Sequence, residues 1–182
     1  MGTHKLLMPW KNGRVIDCVL EAWTKSCVDH SVMVVRKVDE SLIESASLQP
    51  SICVLALETN TDDMKQTIQA GLKHIETLWS PLETERCLIA PADLPKLTFQ
   101  LIDAVAGAIE SKIVVPMYGD KIGHPTGFPW PKTSEIFELN PDEGLDALIK
   151  RSPTKKIDFD LALRPRDIDT PEDYSRECES RN

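Results

Sequence analysis

Cys87-Leu88-Ile89-Ala90-Pro91-Ala92-Asp93-Leu94-Pro95 is an apolar run that ends in a short loop with one acid between two prolines. Its first four residues read as a buried strand, because they are short, apolar and followed by turn residues. In an open α/β sheet, ligands bind just beyond the carboxyl ends of the strands, and Asp93 falls at such an end. Pro91 and Pro95 restrict φ on either side and stiffen the loop. A carboxylate held there suits Mg²⁺, which takes oxygen ligands and shares them with substrate phosphates. The plainer alternative is that Asp93 caps the helix that follows.

Outward from this run, strand and helix patterns alternate. Ser31–Lys37, Ser51–Leu57 and Lys112–Tyr118 are β-branched or apolar stretches of strand length. Between and before them lie amphipathic helices. In 15–25, Ile16, Val19, Leu20 and Trp23 recur at i, i+3, i+4 and i+7. A short helix is expected at 41–47, a long one at 60–79 and another at 97–109. In the long helix Asn60 or Thr61 is the expected cap, with Asp62 and Asp63 in the first turn, where the dipole favours acids. Met64, Ile68, Leu72, Ile75 and Leu78 form its apolar stripe. Thr67 and Gly71 are small residues that either permit close packing or let a ligand approach. The order β, α, β, α, β predicts a mostly parallel sheet covered on both faces. The turn at Gly119-Asp120 and the stretch 123–128 predict an antiparallel strand added to it. Further expectations are short helices at 133–139, capped by Ser134, and at 143–150, and a last strand at 157–163.

Near the end, Asp167-Ile168-Asp169-Thr170-Pro171-Glu172-Asp173-Tyr174 starts a helix. Thr170 is the N-cap, Pro171 the first helical residue, and Asp173 reaches back from the third. That leaves Asp167 and Asp169, same-side acids just ahead of the helix, as a metal-ligand pair. At the other end of the chain, Lys5 sits in Met1–Trp10 (MGTHKLLMPW) and suits a phosphate as a point charge.

Composition bounds the rest. The 182 residues, 41% hydrophobic and 27% charged, suit one domain over 1–182 with a single core, its polar tail from Glu177 to Asn182 frayed. A net charge of −8 without a basic cluster argues against nucleic acid and against an anionic membrane, though not against a nucleotide. Five scattered cysteines, with no CxxC pair, fit a reducing cytoplasm and small core positions.

Taken together, KLLMPW, DDMKQTIQAGL, LIAPADLP, GHPTGF and DIDTPEDY resemble, in order and over nearly the whole chain, the MobA-like nucleotidyltransferases, and most of all their molybdenum cofactor cytidylyltransferase branch. The resemblance implies a three-layer α/β/α sandwich of the nucleotide-diphospho-sugar transferase kind. It implies Mg²⁺-dependent transfer of a nucleotidyl group, from CTP rather than GTP, to a phosphorylated acceptor such as the molybdopterin cofactor, with release of pyrophosphate. By the same resemblance Asp93 and Asp169 are the metal acids, and Lys5 is the lysine that closes the phosphate loop. Ala92, Met64, Thr67 and Gly71 lie near the nucleotide, and Gly123, His124 and Pro125 on the acceptor side. Two alternatives remain open: a transferase for another small phosphorylated acceptor, and a non-catalytic, nucleotide-binding maturation partner of a molybdoenzyme apoprotein.

One part of the family pattern is missing. The family opens with a strand and a glycine-rich loop, whereas this chain starts at the Met-Gly that ends that motif. The first strand is therefore absent, which is expected to leave its neighbours in the sheet with unpaired backbone groups and an open apolar edge. The natural chain is expected to begin upstream of Met1.

Overall fold

The computed structural model describes residues 5–168 and 170–179. A 3-10 turn at Lys5–Leu7 leads into a two-residue ribbon, β1 (Pro9–Trp10) and β2 (Gly13–Arg14), and then helix α1 (Val15–Lys25). The elements β3 (Ser31–Arg36), α2 (Glu40–Ser47), β4 (Ile52–Leu57), α3 (Met64–Trp79) and β5 (Arg86–Ile89) follow in the alternation read from the sequence. After α4 (Phe99–Ala108) come β6 (Ile113–Tyr118), β7 (Lys121–Ile122) and β8 (Thr126–Pro129), then a 3-10 segment at Trp130–Ile136, α5 (Leu145–Arg151), β9 (Thr154–Asp158), a 3-10 turn at Leu161–Leu163 and α6 (Pro171–Glu179).

The result is a mixed α/β fold with both parallel and antiparallel strand pairs. β6 shows why helices cover both faces: every residue from Ile113 to Tyr118 is buried. Val114 and Tyr118 pack with α1 and α4 through Val19, Ile102 and Val105. Ile113, Val115 and Met117 point the other way, toward Leu72 of α3, Ile136, and Leu148 of α5. A third cluster joins Met33 and Val35 of β3 to α1 and α2.

The sheet lies in two pieces. β3 and β4 pair in parallel, from Ser31↔Ile52 to Arg36↔Leu57. The second piece has the order β5-β8-β6-β7, and β9 pairs in parallel with β6. The antiparallel strand expected after Gly119 is β8, and it lies inside the sheet, between β5 and β6. Among the described residues, β3 pairs only with β4 and β5 only with β8. Between β3 and β5 is a cavity of about 1370 Å³, lined also by α1 on one face and α3 on the other.

Several boundaries differ from the sequence expectation. Asp63, not Asn60 or Thr61, caps α3: its carboxylate accepts from the Gln66 amide at 2.8 Å. The preceding acids thus fall outside the helix, and Met64, at its first position, is 62% exposed and not part of the buried stripe. Leu78 is exposed as well, at the far end of the same helix. Ser134 caps nothing; its hydroxyl donates to the Pro131 carbonyl inside a 3-10 segment that starts at Trp130. The last strand is Thr154–Asp158, three residues earlier than expected, because the alternation Thr154, Lys155, Lys156, Ile157 pairs with β6 while 161–163 turn back. The polar tail begins with a buried residue, since Glu177 is 3% exposed within α6. Cysteines are free thiols, of which Cys27 is exposed and Cys87 buried, the latter pushed up to about 12 by desolvation.

Two glycines test this packing. A Cβ on Gly127, in β8, would lie 2.6 Å from Cδ1 and 2.8 Å from Cγ1 of the fully buried Ile109, whereas one on Gly107, in α4, would meet nothing within 4 Å. Gly127→Ala is expected to cost about 1–3 kcal/mol, and Gly107→Ala to be neutral or to stabilise by up to about 1 kcal/mol. Urea unfolding of both variants checks the contrast; equal midpoints would contradict it.

Candidate active site

Cys87, Leu88 and Ile89 of the CLIA run form β5 with Arg86, Cys87 alone of them fully buried, and Asp93 lies in the loop past the strand's carboxyl end. It does not cap α4. That cap is Thr98, whose hydroxyl accepts from the Leu101 amide. Asp93 instead accepts from Lys5 Nζ, 2.6 Å from its Oδ2. The two side chains are 34% and 13% exposed, so the pair is shielded but reachable. The second oxygen, Asp93 Oδ1, is buried and has no hydrogen-bond partner among the described residues. A buried carboxylate oxygen without a donor is costly and calls for a ligand. Oδ1 is therefore a fitting donor for a hard cation.

Lys5 gets there because Leu6, Trp10, Val15 and Ile16 are buried together and anchor the start of the chain. Tyr174 of α6 holds the same region: its hydroxyl donates to the Pro9 carbonyl and its ring meets Trp10 edge to face at 6.2 Å. Leu94 and Leu97, both buried, seat the acidic loop against α4.

Lys5, Met64, Thr67, Gly71, Ala92 and Asp93 line the mouth and walls of the same cavity. Thr67 shares a 2.6 Å hydroxyl contact with Thr61, which ties the loop after β4 to the first turn of α3. A Cβ on Gly71 would lie 3.1 Å from Val34 Cγ2, so this glycine lets α3 sit close on β3. Gly123, His124 and Pro125 stand apart from the cavity lining, in the stretch between β7 and β8, with the His124–Pro125 peptide cis. Gly123 packs flat on Tyr118, where a Cβ would come within 2.5 Å of the ring. Tyr118 itself is buried with no partner for its hydroxyl among the described residues, and desolvation pushes its pKa up to about 12 against the pull of Arg164.

His124 is electrostatically coupled to the acidic loops. Desolvation lowers its pKa, opposed by Asp146, Asp167 and Asp93 and helped by Arg164. The residue as a whole is exposed to solvent.

Of the proposed metal pair, Asp169 lies outside the described residues. Its neighbours are placed: Ile168 is buried, and Thr170 and Asp173 form the expected reciprocal cap, at 3.0 Å from the Thr170 amide to the Asp173 carboxylate and 3.1 Å in return. Among the described residues no group of three or more His, Cys, Asp or Glu is gathered for a metal.

One site-building residue escaped the sequence reading. Glu177, on the buried face of α6, accepts from Lys96 at 2.7 Å and lies 3.6 Å from Arg166. It thereby braces the loop carrying Asp93 against the segment that carries Asp167. The signal was present in Tyr174 and Cys178, an i, i+4 pair that continues the helix past the supposed end.

The model of the MobA-like NTP transferase domain matches residues 1–156. The molybdenum cofactor cytidylyltransferase of Escherichia coli (strain K12) is 19% identical over 174 residues, which is 96% of this chain and 86% of that protein. Among solved structures, Rv0371c of Mycobacterium tuberculosis H37Rv is similar with TM-score 0.77 at 23% identity, covering 98% of this chain and 90% of that one; it has also been solved in complex with manganese. A nucleotidyl transferase from Methanothermobacter thermautotroptrophicus is similar with TM-score 0.81 at 16% identity, covering 98% and 85%. At these identities the solved structures show the fold.

The lowered pKa of His124 gives a pH prediction. Below its ordinary value of 6.5 the unfolded chain takes a proton at this residue more readily than the folded one. Stability is therefore lost as pH falls through 6.5 toward the folded pKa, and the loss is then complete. His124→Asn should show a smaller drop in urea midpoint between pH 7.5 and pH 5.5 than the unaltered chain. An equal drop would contradict the assignment.

Proposed function

The chain belongs to the MobA-like NTP transferase domain family, and we propose that it transfers a nucleotidyl group, CMP from CTP, to a phosphorylated acceptor of the molybdopterin type. The acceptor's phosphate oxygen attacks the α-phosphorus, the bond to the β-phosphate oxygen breaks, and pyrophosphate leaves. The observation that carries this reading is the Lys5–Asp93 pair at the carboxyl end of β5, with one buried carboxylate oxygen that has no hydrogen-bond partner among the described residues. The choice of CTP and of a pterin acceptor leans on the name of the Escherichia coli relative.

Such a transfer depends on charge neutralisation and in-line placement, with no covalent enzyme intermediate required. Asp93 and Asp169 would hold Mg²⁺, a hard cation that neutralises phosphate oxygens and the leaving pyrophosphate. Lys5, part-exposed, moves its ammonium from Asp93 to the triphosphate when the nucleotide enters, and so exchanges one anionic partner for another. The loop from Asn60 to Asp63 and the first turn of α3, with Thr67, form one wall of the cavity, and Ala92 beside Asp93 faces it. These are the groups that would orient the base and ribose. Glu177 keeps the two acid-bearing segments braced through Lys96 and Arg166. The Gly123–Pro125 stretch, with His124 near Asp167 and Asp146, is assigned to the acceptor. The five free thiols suit a reducing, cytoplasmic setting.

Asp93→Asn keeps the shape of the side chain and removes its charge. It is expected to lower metal-dependent pyrophosphate release from CTP by about 10²- to 10³-fold, and Lys5→Met by a smaller factor through a raised KM for CTP. Release measured with CTP and with GTP tests both the site and the base. Undiminished turnover in Asp93→Asn would overturn the site. Retention of the cellular role by that variant would favour the non-catalytic maturation partner.

A further inference from the structure

We propose that Arg164 and Tyr118 form a second anion site, separate from the Lys5–Asp93 pair, which takes a further phosphate-type oxyanion carried by the acceptor at the end away from its reacting phosphate. The site stands on its own geometry, and only its assignment to the acceptor rests on the transferase reading.

Several chain ends meet at one edge of the sheet. β5 and β6 both pair antiparallel with β8, and β9 pairs parallel with β6, so β5, β6 and β9 run in one direction. Asp93 follows the carboxyl end of β5, Tyr118 closes β6, and Arg164 follows β9. His124 and Pro125 enter β8 at the same edge, since Thr126 pairs with Ile89. From β9 the chain then turns back toward the Lys5 side, where Ile168 is buried with Leu6 and Trp10. The carboxyl ends of parallel strands are where an α/β sheet receives its ligands.

Two buried donors at this edge have no partner. Neither the Tyr118 hydroxyl nor Arg164 Nε has a hydrogen-bond partner among the described residues, although both atoms are buried. Tyr118 as a whole is 1% exposed. Its ring is held by Gly123, where a Cβ would come 2.5 Å from Cε2, and by Phe159, 5.9 Å away between centroids. Burial pushes its pKa up to about 12, so the hydroxyl keeps its proton and can donate at neutral pH. Arg164 is near enough for its charge to act on both this hydroxyl and His124. Pro165 restricts Arg164 to extended backbone, at φ −61° and ψ 117°. The neighbouring acids have other tasks: Asp160 accepts from the Ala162 amide at 2.9 Å, and Glu177 takes Lys96 and lies 3.6 Å from Arg166. Among the described residues no carboxylate pairs with Arg164. Buried donors in a protein are ordinarily matched to acceptors. A guanidinium beside a neutral phenol suits an oxyanion, to which hydrogen bonds are charge-assisted.

The layout also separates this site from Asp93. In the order β5-β8-β6, the strands that end at Asp93 and Tyr118 are two spacings apart, or roughly 10 Å. Reacting atoms must come within roughly 3–3.5 Å of each other. An anion held at Tyr118 is therefore not the one that attacks phosphorus at Asp93. Acceptors with an anionic group at each end fit both sites at once.

Two titrations of the 182-residue chain test this. Inorganic phosphate, without metal or nucleotide, is expected to shift the Arg164 Nε–H resonance and the Tyr118 ring resonances together, with one saturating affinity. Arg164→Met and Tyr118→Phe are each expected to weaken that affinity by about 10-fold or more. Because Tyr118→Phe removes an unpartnered hydroxyl, its urea midpoint should equal or exceed that of the unaltered chain. A lower midpoint would give the hydroxyl a structural role and overturn the site, as would the absence of any shift. The second titration, with Mg²⁺, compares hexanediol bisphosphate with hexyl phosphate. The bisphosphate is expected to bind at least ~10-fold more tightly, with the advantage lost in Arg164→Met. Equal affinities would leave a site for free phosphate only and overturn its assignment to the acceptor. The first titration involves no turnover, so a chain inactive toward CTP that still shows the shift contradicts the transferase reading and not the anion site.

Discussion

Lys5 and Asp93, 2.6 Å apart, join two pieces of sheet between which no strand pairing is made among the described residues. On one side the Lys5–Leu7 turn belongs to the cluster of α1, α2 and β3. On the other, Asp93 follows β5 and is seated by Leu94 and Leu97 against α4. The ion pair is partly shielded, which makes it stronger than a surface pair and makes the loss of either partner costly. It also places a cation next to a buried, unshared carboxylate oxygen. The same contact therefore closes the fold at this end and, in the proposed function, is where a polyphosphate would bind.

Around that contact, the structure separates positioning from chemistry. Lys65, 7% exposed, donates to the carbonyls of Asn140, Pro141 and Glu143 and so fixes the loop before α5 to the first turn of α3. Glu177 does the same for the acidic loops with Lys96 and Arg166. Both are buried charges satisfied by several partners, which is the condition under which a charge is tolerated inside a protein. Neither needs to touch substrate to hold the site in shape.

Much of this was legible from residue order. Short apolar runs bounded by Gly, Pro and Asp marked β3 to β6, and the 3.6-residue stripe marked α1 and α4, because each of those elements buries a full face. Thr170-Pro171-x-Asp173 gave its cap correctly, since the two side chains satisfy each other locally. Less legible were features set by distant partners. Asp63 displaced Asn60 and Thr61 as the cap of α3, a choice between neighbouring candidates that tertiary placement decides. The register of β9 follows from pairing with β6, and the burial of Glu177 from cations 11 and 81 residues away in the chain. Of the candidate site, Lys5 and Asp93 were found in contact, while Gly71 and Gly123 owe their small size to Val34 and Tyr118.

The central claim is that the carboxylate past β5 is where the metal and the triphosphate meet. Mn²⁺, added with CTP, reports its own position through paramagnetic broadening of nearby amide resonances. The account predicts broadening centred on Ala92, Asp93 and Leu94, lost in Asp93→Asn. Broadening centred instead on the Asp62-Asp63 pair, or unchanged in Asp93→Asn, would contradict it.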